Sequence, residues 1–132
     1  MKVTHPLAKQ GYEILKTIKS FSSTYEDDTF EGDYIKSLIS SSQIMYVKAS
    51  VAVKNYSYLV SIQNAALMRE EGQHLLAATS GMKMYTNLDQ DYVKLLRKEI
   101  LEFQRLFVEW VTTLKKNKPV NDETEVDEWG LF

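Results

Sequence analysis

The stretch Asp33–Glu71, DYIKSLISSSQIMYVKASVAVKNYSYLVSIQNAALMREE, contains neither Gly nor Pro. Within it Ile39, Tyr46, Val53, Val60 and Leu67 recur every seven residues. Leu38, Met45, Ala52, Leu59 and Ala66 form a second row beside the first. Two adjacent rows at that spacing line one stripe on an α-helix, whereas a strand would need a period of two. The stretch therefore predicts long helices that bury an apolar side. Such stripes account for cores and interfaces, and they bring no reactive group with them.

A single helix from Asp33 to about Tyr85 would run roughly 75–80 Å at 1.5 Å per residue. No other element of one short domain could cover it, so a break is expected. Lys54-Asn55-Tyr56-Ser57 is the best place, because Asn ends helices in the left-handed conformation and Ser caps the next one. Gly72 and Gly81 are weaker candidates. Upstream, Thr4 is the expected cap of a first helix, with Pro6 in its opening turn. Leu7, Ile14, Leu15, Ile18 and Phe21 share one face of that helix, and Gly11 on the same face would let a neighbour come close. Thr24–Gly32 reads as a loop and Asp33 as the cap of the second helix. Downstream, Asn87-Leu88-Asp89 marks a boundary, followed by the strongest stripe in the chain: Tyr92, Leu96, Ile100, Phe103, Phe107, Trp110 and Leu114. Pro119 ends it.

The predicted fold is all-α, a four-helix up-down bundle with helices at roughly 5–22, 33–54, 57–85 and 89–117. The bundle domain spans 1–118, and an acidic-aromatic tail spans 119–132. One domain suits 132 residues. Apolar content of 44% and charged content of 26% are ordinary for a folded globular chain. The lack of cysteine excludes disulfides, thiolate metal sites and Cys nucleophiles, and it fits a cytoplasmic location. The opening residues lead into an amphipathic segment, so no secretory signal is expected. No window approaches the ~18 consecutive apolar residues of a membrane span.

Few constellations could carry chemistry. Glu71-Gly72-Gln73-His74 spells the Glu-x-x-His step of di-iron carboxylate bundles, in which a Glu and a His three apart face the same way. A second such step is needed and is not in the sequence. The step therefore reads as a surface charge cluster beside a partly buried, hydrogen-bonded histidine. Ser40, Ser41 and Ser42 lack the Gly-x-Ser-x-Gly elbow of a nucleophile, and read as small residues that let helices approach. No catalytic, cofactor-binding or metal-ligating residue is assigned, and a metal-binding bundle enzyme centred on Glu71 and His74 is a remote alternative. The expectation is a protein that is not an enzyme and has no cofactor.

Nucleic acid is the more serious alternative. Lys9, Lys16 and Lys19 on helix one, with Lys94, Lys98 and Arg105 on helix four, would form a basic face if those surfaces adjoined. In size, helix count and a Lys36-Ser37…Ser41 step the chain resembles two groups of small four-helix proteins. These are the proteins encoded in ribosomal RNA intervening sequences and the accessory proteins of diversity-generating retroelements, and the resemblance implies such a surface. Its second half departs from them, and a formal net charge of −2 is opposite to what phosphate binding favours. The tail offers a better interaction signal. Asp122, Glu123, Glu125, Asp127 and Glu128 lead into Trp129, Leu131 and Phe132, an acidic run ending in an apolar anchor. That anchor could plug its own bundle, a second copy or a different protein. The expected function is protein–protein contact by a self-associating, non-enzymatic bundle, with a further protein partner for the tail possible, nucleic acid not favoured and no membrane partner.

Overall fold

The computed structural model describes residues 5–22, 25–26, 28–54, 57–116 and 128–131. Among these residues four helices follow one another: α1 (Pro6–Ser22), α2 (Phe30–Ala52), α3 (Tyr58–Tyr85) and α4 (Gln90–Lys115). Each packs on the next, and α4 closes the ring on α1. The result is a compact all-α four-helix bundle.

Local chemistry sets the helix starts. At α1 the ring Nδ1 of His5 accepts the Leu7 N–H at 3.1 Å. Burial holds the His5 pKa below its usual value, which keeps that nitrogen an acceptor. The expected Thr4 cap lies outside the described residues. α2 begins earlier than Asp33 suggests. Thr29 is its cap, with its hydroxyl accepting the Gly32 N–H at 2.9 Å and donating to the Glu26 carbonyl at 2.8 Å. Asp33 instead sits in the first turn with Glu31, where negative charge suits the helix dipole. Thr29→Ala should therefore cost about 1 kcal/mol, whereas Asp33→Ala should cost a few tenths; urea denaturation of the two variants separates them.

The break between α2 and α3 falls where expected. Ser57 caps α3 by accepting the Val60 N–H at 3.3 Å, while Asn55 lies outside the described residues. Asp89 caps α4 by accepting the Asp91 N–H at 2.8 Å.

The core is continuous. α1 contributes Leu7, Ile14, Leu15, Ile18 and Phe21, and Gly11 lies close to Tyr46 of α2. α2 buries Ile35, Leu38, Ser42, Met45, Ala49 and Ala52. In α3 the expected stripe is displaced. Leu59, Val60 and Leu67 are exposed, and the buried rows are Ser61, Met68, Leu75, Met82 and Ala65, Gly72, Thr79. The two helices are separate rods, so the heptad phase of α2 does not carry across the break. α4 buries Val93, Leu96, Ile100, Phe103, Phe107 and Val111, leaving Tyr92 exposed and Trp110 and Leu114 at the margin.

Candidate functional site

Of the three places open to the aromatic anchor, Trp129 and Leu131 occupy the chain's own bundle. Trp129 is 0% exposed and Leu131 is 2% exposed. The indole meets the Phe107 ring edge to face, with centroids 5.3 Å apart and an 81° interplanar angle. Its other boundary is Gly72 of α3. A Cβ at position 72 would collide with the Trp129 ring, Cη2 first and then Cζ2 at 2.9 Å. The glycine that looked like a weak point in the helix is thus the floor on which the indole rests. Gly130 takes a positive φ of 74°, a conformation that glycine adopts without strain, and lies over Val108 of α4.

Side chains of α4 hold the segment by its backbone. Gln104 Nε2 donates to the Glu128 carbonyl at 3.4 Å, and Lys115 Nζ donates to the Leu131 carbonyl at 3.2 Å. The groove between α3 and α4 therefore has an aromatic wall, a glycine floor and polar donors at both ends. Phe132 and the acidic run through Asp127 lie outside the described residues. Because Trp129 is buried, Trp129→Ala is expected to cost stability.

The six cations considered for nucleic acid do not share one face. Gln10 Nε2 bonds the Glu99 carbonyl at 2.9 Å, which places Gln10 on the flank of α1 that meets α4. Tyr12, on the other flank, pairs with Tyr46 of α2 at 5.5 Å between centroids. Lys16 lies over the Tyr12 ring at 5.7 Å and bonds Glu13 at 3.4 Å. Lys9, Lys16 and Lys19 follow one another on the outward side, turned toward Tyr12 and away from α4. On α4, Arg97 reaches α3, donating to Thr79 Oγ1 at 2.9 Å. Lys94, Lys98 and Arg105 lie on the outward side nearer that flank. Between the two cation rows stand Glu13, Glu99 and Glu102. Glu102 pairs with Arg105 rather than with Lys98, and Arg105 also bonds Glu109 at 2.8 Å. That bond network draws the Glu102 pKa down. At an exposed surface it contributes little to stability.

Glu99 is the notable group of the α1–α4 seam. Its Oε1 is buried without a hydrogen-bond partner. Burial raises its pKa, the Thr17 hydroxyl partly offsets this, and Glu13 adds to the rise. A carboxyl whose folded pKa exceeds its unfolded one holds its proton in the fold while the unfolded chain releases it. Stability is therefore complete below the ordinary carboxylate range and falls as pH rises through the elevated folded pKa. Glu99→Gln should raise the thermal midpoint at pH 7 and leave it unchanged at acid pH; calorimetry at the two pH values checks this.

His74 is exposed rather than partly buried, and it is hydrogen-bonded as expected: Nδ1 stands 2.8 Å from Ser41 Oγ. Ser41 and Ser42 are buried, Ser41 against His74 of α3 and Ser42 donating to the Ile39 carbonyl of its own helix at 2.9 Å, whereas Ser40 is exposed. Among the described residues no group of three or more metal-ligating side chains is assembled. A cleft of about 670 Å³ opens at one end of the bundle, lined by Tyr25, Phe30, Tyr92, Glu26, Glu31 and Asp89 among others. Helices α2 and α4 both begin there, so Glu31 and Asp89 complement helix dipoles. Neither this cleft nor a smaller one of about 250 Å³ beside Trp110 includes the Ser41–His74 pair.

The face that sequence reasoning did not single out is the outer side of α2 and α3. Ile44 and Val47 on α2 are exposed, together with Leu59, Val60 and Leu67 on α3; Leu59 reaches 64%. The Ser41–His74 bond and the Tyr34 hydroxyl donating to the Ala78 carbonyl fix the antiparallel register. That register brings Ile44 and Val47 near the level of Leu67. α1 and α4 separate their apolar and polar sides sharply, whereas α2 and α3 carry large apolar residues on both. The low amphipathicity of the Asp33–Glu71 stretch is the sequence signal that could have found this face.

Fold and geometry define the chain as a four-helix bundle. No family model matches it, and no curated protein or solved structure matches it. Among the described residues no helix is long and apolar enough to cross a membrane.

Proposed function

We propose that this protein works by binding protein, that its first partner is a second copy of itself, and that it carries no catalytic centre. The observation that supports this most is the run of exposed Ile44, Val47, Leu59, Val60 and Leu67 on two neighbouring helices. Single exposed apolar residues are ordinary, but adjacent ones on one face are characteristic of contact surfaces. Lys48 and Glu70 border that face and offer opposite charges to a two-fold partner. The lack of cysteine suits a reducing compartment such as the cytoplasm.

Sedimentation equilibrium tests the reading. The wild-type chain should show a concentration-dependent mass above one chain. Ile44→Glu with Leu67→Glu should reduce it to one chain, with unchanged helical circular dichroism because both side chains already face solvent. A wild-type mass of one chain at every concentration would contradict it.

A further inference from the structure

The segment that fills the α3–α4 groove has a feature that its burial alone does not require. Glu128 meets Gln104, Trp129 meets Phe107, Gly130 meets Val108, and Leu131 meets Lys115. Tail and α4 therefore run in the same direction. The chain leaves α4 at Lys116 and must re-enter the groove at the level of Gln104, about 18 Å back along the helix axis. Eleven residues, 117–127, separate the two points in the sequence, and a chain of that length could span at most about 40 Å. The tail is joined to its groove by more chain than the distance needs.

The groove also recognises the segment in a way that suits a peptide. Two side-chain donors take up backbone carbonyls, which any chain presents, and the Gly72 floor with the Phe107 wall selects an indole between them. The segment is a short ligand, and these contacts are ones that the same segment of another copy could make. We propose that the α3–α4 groove is a peptide-binding site that accepts Glu128–Leu131 from a second copy as well as from its own chain, so that two chains can join by exchanging tails. In the isolated chain the covalent connection supplies the tail at an effective concentration on the order of millimolar, so the self-docked form prevails when dilute. Shortening the tether or raising the concentration favours exchange. This contact is separate from the α2–α3 face, and Ile44→Glu with Leu67→Glu leaves it intact, so each can fail alone.

Two experiments on the full chain decide it. Removing residues 118–126 leaves only 117 and 127, a reach of about 11 Å where about 18 Å is needed. Made in the Ile44→Glu, Leu67→Glu background, that variant should have the mass of two chains by light scattering and keep Trp129 shielded from quencher. A one-chain mass with Trp129 exposed, or an unfolded chain, would overturn the proposal. In the second experiment a synthetic peptide of residues 126–132 is titrated into full-length Trp129→Ala. Saturable binding is expected, with a rise in thermal midpoint, or with regain of helical circular dichroism if the variant alone is unfolded. The same peptide with its tryptophan replaced by alanine should do neither, and wild-type protein should bind the parent peptide at least tenfold more weakly. No uptake by Trp129→Ala at millimolar peptide would overturn the proposal, whatever the shortened variant does.

Discussion

Trp129→Ala should destabilise the protein by about 3–5 kcal/mol, the range for removing a fully buried large aromatic ring. A domain of this size holds only ~5–15 kcal/mol in total, so the thermal midpoint should fall steeply in calorimetry. The cost is that large because the indole is 0% exposed and bounded on both sides by the bundle, by Gly72 of α3 and Phe107 of α4. Gly72 supplies an internal control. Gly72→Ala should destabilise the wild-type chain, because its Cβ would enter the indole's space. In the Trp129→Ala background that space is empty, and the same methyl group should cost little. The pair should therefore be strongly non-additive in a double-mutant cycle, as neighbours in contact are.

Phe107→Ala should cost a similar ~3–5 kcal/mol. Phe107 is also 0% exposed, and its ring contacts Phe103 at 6.4 Å, Trp110 at 5.9 Å and Trp129 at 5.3 Å between centroids. It is the point where the tail, α4 and the central core meet. Its loss opens a cavity next to the indole, so the effects of Phe107→Ala and Trp129→Ala should couple by ~0.5–3 kcal/mol. Urea titration of both single variants and the double variant measures the coupling. Additive effects would mean that the indole and the phenyl ring stabilise separate parts of the molecule.

The helices were legible because their signals are local. α1 and α4 separate apolar from polar residues at a period of 3.6, and the chain breaks near Ser57 and Asp89, which then act as caps. What failed was phase. The row through Tyr46 and Val53 does not continue to Val60 and Leu67, because residues between two rods do not keep the fixed rotation per residue of a helix. The true core of α3 is built on Ser61, Ala65, Gly72 and Thr79 as well as Met68 and Leu75, and small or polar residues are weak signals of burial. The start of α2 is not legible in the sequence because Asp33 is as good a cap by type as Thr29, whose hydroxyl also finds the Glu26 carbonyl.

The interaction residues were legible as types and not as places. Trp129 and Leu131 stand out in an acidic segment, but nothing near them in the chain indicates that Gly72 leaves an indole-sized space on α3. The relation is between a missing side chain and a large one at distant positions, and no local pattern records it. The cations show the same limit. Spacing puts Lys9, Lys16 and Lys19 on one side of α1, but only the contacts of Gln10 with Glu99 and of Tyr12 with Tyr46 reveal that this side faces away from α4.

The central claim is that Glu128–Leu131 pack into the chain's own bundle, with Trp129 as a core residue. The protein has two tryptophans, so Trp110→Phe leaves Trp129 as the sole indole emitter. Emission and iodide quenching of that variant, measured at a dilution where light scattering gives the mass of one chain, test the claim most directly. The account expects blue-shifted emission that iodide barely quenches until urea unfolds the helices. Emission at the wavelength of free tryptophan, fully open to iodide while the helices remain folded, would contradict it.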